Sequence, residues 1–435
     1  MLEEDLAVEN PAAQISEGQP RERSGRLAPI PERLLARLWQ ERAARQGWLR
    51  TSRGQRLRVI YPGRPGRTAG PDFRSALLEV EGEGLVRGDV EIHLRQRDWQ
   101  SHGHGQDPAY NGVALHAALE VATAPAATLH SGGRPLVVSL APLLEGADAP
   151  AASAQEGLWA LLAQRGYPQP ATAEEASLLL DRAGDARFLG KSSRFREFLR
   201  EQSPEQTLYE GMLEALGYHQ NQQPFLKLAG RAPYQALARA TRAIPAAGRA
   251  PAVEVWLLKL SGLLPTEAAA AVELPRAGFG PPMSGAEWHC FRLRPANHPR
   301  RRIAGAARLV ARFLEPGLVT GLGRVAAANG PRDLTAALTV AGRGGGTAYI
   351  GSARARDLAV NVVLPFFHAL ATGQGEEAGG EPYLRLYQRF GKLQENGLTL
   401  EMAGQLLPAG GTDLLKTARR QQGLIHLHRL LGGAS

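Results

Sequence analysis

The sequence predicts an α+β protein: an N-terminal helix and mixed β-sheet domain, followed by a larger all-α domain. Three observations carry this expectation. From Arg53 to about Leu140, apolar and polar residues alternate with the period of strands. A run of small residues, "EGADAPAASAQEG" (Glu145–Gly157), then interrupts the pattern. Beyond it, apolar residues return at three- and four-residue spacing almost to the end. The expected divisions are a disordered tail over 1–28, an α+β domain over 29–145, a linker over 146–157 and a helical domain over 158–435.

Each element has its own local reason. The first 28 residues are polar, proline-bearing and aperiodic, as in a disordered tail. "PERLLARLWQERAARQGW" (Pro31–Trp48) reads as a helix, with Pro31 suited to a first helical position and Leu34, Leu35, Leu38 and Trp39 on one face. Gly47 ends it. "QRLRVIYPG" is a strand closed by Pro62-Gly63, and "DFRSALLEVEGEG" with "LVRGDVEIHLR" forms a hairpin about Glu81–Gly84. "DWQSHGHGQDPAYNG" is a polar connection or short helix, after which "VALHAALEV" and "RPLVVSLAPL" supply two more strands. In the second half, "LYEGMLEALGY", "VEVWLLKLSGLL", "RIAGAARLVARFLE" and "QQGLIHLHRLL" are amphipathic helices, and Trp256, Phe366 and Phe367 belong to the core. The breaks fall at "GRGGG" near Gly342 and at "TGQGEEAGGEP" from Thr372.

Composition narrows the function classes. At 435 residues, 43% hydrophobic and 21% charged, the chain is that of a soluble globular protein. A net charge of +9 and a pI near 10.0 favour an acidic partner, nucleic acid first among them. Nearly all of that charge is arginine, which base composition of the genome explains equally well. Cys290 stands alone, which excludes an intramolecular disulfide and a CxxC metal site and suits a reducing cytoplasm. The acidic N-terminus lacks the apolar region of a signal peptide, and no apolar run reaches the roughly 18 residues of a membrane span.

The densest chemistry lies in "RGDVEIHLRQRDWQSHGH" (Arg87–His104). A period of two puts Asp89, Glu91 and His93 on one strand face and Val90, Ile92 and Leu94 on the other. Asp72 opens the preceding strand after a glycine-proline turn, so the hairpin brings it towards Glu91. Two converging carboxylates can hold a hard dication such as Mg²⁺ or Mn²⁺, which would stabilise charge building up on a phosphate. His93 would activate or orient water, or ligate the metal itself. The plain alternative is the polar outer face of an antiparallel strand, with no chemistry. Five of the eleven histidines fall in this region: His93, His102, His104, His116 and His130. His102 and His104, with Asp107, offer a second metal set, for which zinc is the alternative ion. His116, on the polar phase of its strand, joins His102 and His104 either as an outer layer around the first ion or as an alternative metal set.

This arrangement resembles the PD-(D/E)XK nuclease superfamily, with Pro71-Asp72 as the first element and Glu91-Ile92-His93 as the second. That resemblance implies Asp72, Glu91 and His93 as the catalytic set and Glu41 or Glu32 as a further acid. Histidine stands where the superfamily has lysine. Along most of the chain, "GPDFRSALLEV", "GDVEIHL", "DWQSHGHGQDPAYNGVALH", "LYEGMLEALGYHQNQQPF", "RPANHPRRRIAGAARL" and "NVVLPFF" resemble the bacterial family termed domain of unknown function (DUF) 2851. Asp72, Glu91, His93, Asp98, Trp99, His102, His104, Tyr110, Asn111 and His116 match its motif positions, and no activity is implied. "LLGGAS" departs from the cysteine-bearing tail of that family.

Arg292, Arg294, Arg300, Arg301 and Arg302 form a basic stretch suited to a phosphate backbone, or simply a solvated helix flank. "GRGGGTAYIG" lacks GK[ST] and reads as a turn. Two functions are therefore expected as alternatives. One is a divalent-metal-dependent, nuclease-like phosphodiesterase. The other is a non-catalytic scaffold that binds nucleic acid or protein through a degenerate nuclease-like sheet.

Overall fold

The computed structural model describes residues 32–66, 70–121, 127–144, 154–275, 278–291, 293, 295–328, 330–373, 377–395, 397–407 and 411–431. The chain divides into two compact units, Met1–Gly84 with Gly88–Ala151 and Leu85–Arg87 with Ala152–Ser435. The expected tail (1–28), most of the expected linker, Arg292 and Arg294 lie outside the described residues; the end of the linker, from Ala154, is already helical.

In the first unit, helix α1 (Glu32–Arg42) buries Leu35 and Trp39, and Trp39 Nε1 donates to the carbonyl of Pro62 at 2.8 Å. Among the described residues seven strands follow: β1 (Trp48–Arg50), β2 (Arg56–Tyr61), β3 (Arg64–Pro65), β4 (Phe73–Val80), β5 (Gly84–Arg95), β6 (Val113–Glu120) and β7 (Leu136–Ser139). They form one mixed sheet in the order β1-β2-β4-β5-β6-β7, with β3 on the flank of β4. Ser52 donates to the carbonyl of Val137 at 2.8 Å and Thr51 bridges Val138, so the sheet nearly closes into a barrel.

The hairpin expected of β4 and β5 is present, turning over Glu81–Glu83. β5, β6 and β7 then run parallel, with Glu91 opposite His116 and His93 opposite Ala118. Parallel neighbours need a crossover that passes over one face of the sheet. Here it is short: α2 (Asp98–Ser101) and two 3-10 turns, His104–Gln106 and Pro108–Tyr110.

The second unit is helical. Its longest helix, Ala173–Glu201, has 29 residues and begins at Thr172, whose hydroxyl accepts from the Glu175 amide at 3.1 Å. The final helix, Ala418–Leu430, lies directly against it. Gly184 and Gly423 make this approach feasible, since a Cβ on either would run into the other helix's backbone. Asp181 and Asp185 pair with Arg419 and Arg420 across the same seam. Trp256, Phe366 and Phe367 are buried in the core of this unit, as expected. Among the described residues, no helix is long and apolar enough to cross a membrane.

Candidate metal centre

The crossover turns what reads as a polar outer face into a buried one. Glu91 and His93 on β5, His116 on β6 and His104 on the crossover are all buried, with His93 and His116 at 1% and 0% exposure. A solvated strand face is therefore not what this stretch forms. The amphipathic alternation of β5 is correct, but both of its faces are covered.

His93 sits at the centre. Its Nδ1 lies 2.9 Å from His116 Nε2, and its Nε2 lies 3.2 Å from both His102 Nδ1 and His104 Nε2. One ligand nitrogen from each of His93, His102 and His104 falls within 4.8 Å of the others. Glu91 Oε1 is 3.2 Å from His104 Nε2 and 3.7 Å from His93 Nε2. Gly103, between the two crossover histidines, has φ 72°, the left-handed conformation that side chains resist. It lets both neighbours turn towards the same His93 nitrogen. Trp99 walls the cluster against His104 and His116, and Tyr110 stacks on His104 at 3.9 Å between centroids. His102 is exposed, giving the cluster one edge on solvent.

The carboxylates are placed with equal specificity. Asp72 and Glu91 interlock: the Asp72 amide donates to Glu91 Oε2 at 3.0 Å, and the Ile92 amide donates to Asp72 Oδ2 at 2.9 Å. Asp89 is occupied structurally, accepting from Arg74 Nη1 and the Ser75 amide, each at 3.0 Å. It thereby holds the backbone at Ser75, which takes φ 58°. Asp107 caps the 3-10 turn at Pro108–Tyr110 through the Ala109 amide at 2.8 Å. It does not join the histidines.

Burial sets the charge states. Burial, reinforced by Glu91, raises the Asp72 carboxyl from the usual 3.8 to about 6. Burial, then the neighbouring imidazoles, lowers His93 to about 3 and His116 to about 4, so both are neutral near pH 7. Burial and Glu91 push the Tyr110 phenol up to about 12.

The raised Asp72 value carries a stability prediction. Below about pH 3.8 the carboxyl is protonated whether folded or unfolded and contributes nothing. Between about pH 3.8 and 6 the unfolded chain ionises here while burial and Glu91 keep the folded carboxyl protonated. Stability falls across that window, and the full cost is present above about 6. Asp72→Asn keeps the acceptor for Ile92 and removes that charge. In EDTA it is expected to raise the unfolding midpoint at pH 7.5, by a free energy on the order of 2 kcal/mol, and to change little at pH 3.5. Equal midpoints at pH 7.5 in thermal melts would contradict the burial of this charge.

Sequence-expected roles need two corrections. Both ring nitrogens of His93 are engaged within the imidazole cluster, so neither is free to take a proton from water. Arg302 is not a phosphate contact: it is buried, donating to Tyr349 O, Tyr218 Oη and Asn297 Oδ1 at 3.1, 2.8 and 2.7 Å. Arg301 is likewise tied to the carbonyls of Thr347 and Ala348, while Arg300 is exposed. Of the further acids, Glu41 is exposed and pairs with Arg37, whereas Glu32 lies near enough to add to the rise at Asp72. Tyr110 is the residue whose contact with the cluster no local pattern showed; its ring reaches His104 because the turn at Pro108 folds back.

No curated protein and no solved structure matches the chain. The family model described as "Protein of unknown function (DUF2851)" matches residues 32–146 and 169–315, which includes every residue of this cluster. By that match over more than half its length, the chain belongs to the DUF2851 family.

Proposed function

We propose that the N-terminal unit is a metal-dependent hydrolase whose centre is built on His93, His102 and His104, with Glu91 as a fourth ligand, and whose substrate is a phosphodiester. The observation that carries this reading is the pair of 3.2 Å separations between His93 Nε2 and its two neighbours. Ligands about 2.0–2.1 Å from a tetrahedral zinc stand roughly 3.4 Å apart. Three imidazoles and one carboxylate suit a transition metal of the zinc class better than Mg²⁺, which prefers oxygen and keeps its water.

The chain's own groups divide the work. With its proton on Nδ1, His93 donates to His116 Nε2 and turns the Nε2 lone pair to the cluster, the tautomer that a ligand needs. Glu91 holds the Asp72 amide with one oxygen and faces the histidines with the other. Asp72, with a carboxyl near 6 and one oxygen held by Ile92, is the general acid or base. A bound cation would supply Lewis-acid stabilisation of charge on the phosphoryl oxygens. The phosphodiester class is supported by the order of Asp72, Glu91 and His93 and by the net charge of +9. Nucleic acid is the natural polymer of that class.

Purified protein supplied with Zn²⁺ or Mn²⁺ is expected to cleave single-stranded DNA, RNA or bis(p-nitrophenyl) phosphate. Asp72→Asn should lower the rate by about 10²-fold or more without loss of metal. Absence of turnover on all three substrates, with metal stoichiometrically bound, would refute the hydrolase and favour a scaffold that uses the ion structurally.

A further inference from the structure

The helical unit holds a cavity of about 650 Å³ whose lining includes Arg187, Lys191, Arg194, Arg354, His426 and Arg429. Arg187, Lys191 and Arg194 follow one another at four- and three-residue spacing on the helix Ala173–Glu201, so that they share a face. The carboxylates in the lining are largely committed. Glu214 pairs with Arg194 at 3.0 Å, and Glu210 accepts from Gln202 and Gln206 at 2.9 and 2.8 Å. Asp357 remains, 3.6 Å from Arg354.

Asp357 also offsets part of the Lys191 charge, but among the described residues Arg187, Lys191 and Arg429 make no direct ion pair. Lys191 Nζ donates to two amide oxygens, Asn361 Oδ1 and, at 3.1 Å, Gln422 Oε1. Arg187 Nε shares that Gln422 oxygen at 2.8 Å. Arg187 Nη1 and Arg354 Nε and Nη2 are buried N–H groups without a hydrogen-bond partner. Burial, then Arg187 and Arg429, pulls the Lys191 ammonium well below its usual value, and burial brings Arg187 down to about 10. Buried cations without a direct ion pair are costly to keep, so a stabilising role does not account for them.

Two further features give the cavity form. The Arg354 guanidinium lies 3.3 Å from the ring centroid of Tyr218, which holds φ 51°. A π-helical turn, Ala359–Val363, presents Asn361 to Lys191. We infer that this cavity binds a phosphorylated small molecule of about nucleotide size, its phosphate oxygens taken by Arg187, Lys191 and Arg354. Three cations against Asp357 leave two positive charges, which a phosphate dianion balances, and guanidinium forks match phosphate oxygens. The volume lies within the range of small-ligand sites. This site is independent of the metal centre.

Titration calorimetry of the full chain in EDTA, with inorganic pyrophosphate and ATP as probes, tests the assignment. At least one is expected to bind with a dissociation constant in the micromolar range. Lys191→Met should weaken it by about tenfold or more, while leaving the ligand-free unfolding midpoint equal or higher. Arg429→Met, at an exposed position, provides a second variant free of folding effects and should weaken binding severalfold. Absence of binding at millimolar concentration would overturn the inference, as would unchanged affinity in both variants. Binding of a single-stranded oligonucleotide without binding of either small probe would overturn it too, and assign the cations to a polymer.

Discussion

His93→Ala is expected to strip the N-terminal unit of its metal. Elemental analysis of the wild-type protein, purified without chelator, should find close to one transition-metal ion per chain, and the variant should hold almost none. The expectation follows from position: His93 Nε2 is the nitrogen common to both 3.2 Å contacts, and its removal leaves His102 and His104 on the crossover without their partner on β5. The loss in affinity should exceed the roughly 10–100-fold that outer partners of a metal site cost. His116→Ala is the matched control. It removes the hydrogen-bond partner of His93 Nδ1 but none of the proposed ligands, so its effect should fall within that 10–100-fold range. Hydrolysis, where present, should vanish with the metal in His93→Ala. Metal at full stoichiometry in His93→Ala would dispose of the centre as drawn.

Trp99→Ala should produce the largest loss of stability near the site. Trp99 is 1% exposed and packs with Val113, Ala127 and Leu129, with Tyr110 beside them. Its Nε1 donates to the carbonyl of Thr128 at 3.3 Å, and its ring lies 5.2 Å from that of His116 and 5.4 Å from that of His104. Emptying that volume should cost about 3–5 kcal/mol. Trp99→Phe keeps most of the packing and loses the hydrogen bond, so it should cost nearer 1 kcal/mol. Because His104 and His116 lean on this ring, metal affinity should fall in the same order, wild type, Phe, Ala. Urea unfolding followed by circular dichroism, with and without Zn²⁺, measures both. A change below 1 kcal/mol for the alanine variant would mean that the crossover is not packed on the sheet as described.

The two predictions separate what local sequence could show from what it could not. The elements were legible because their causes are local. Alternation in "DFRSALLEV" and "GDVEIHL" gave β4 and β5, and a turn rich in glycine and glutamate gave their hairpin. Spacing of three and four gave the helices, and Pro31 and Gly47 bracketed α1 and its 3-10 extension closely. Asp72, Glu91 and the histidines were identifiable as a cluster because they crowd a short stretch. Their division of labour was not. The hairpin alone suggests a carboxylate pair sharing a hard ion, with His93 as the base beside it. Parallel pairing of β5 with β6 changes that, since it sends the connection over the polar face and lays three more rings against His93.

The arginines teach the same lesson in reverse. Arg301 and Arg302 have the composition of a phosphate-binding stretch, yet helix packing turns Arg302 inward to Tyr218, Asn297 and Tyr349. The cations that do share a cavity come from three distant helices, with Arg187 and Lys191 on one, Arg354 on another and Arg429 on the last. No window of sequence contains them together. For this protein, then, the amino-acid order by itself determined the fold class, most strand and helix positions, the lone cysteine's exclusion of disulfides and the short stretch that supplies the proposed metal centre. Tertiary structure alone decided which side chains meet, which are buried and which nitrogen faces which. The physical reason is range: periodicity, caps and turns act within a few residues, whereas strand order and helix docking act across a hundred or more.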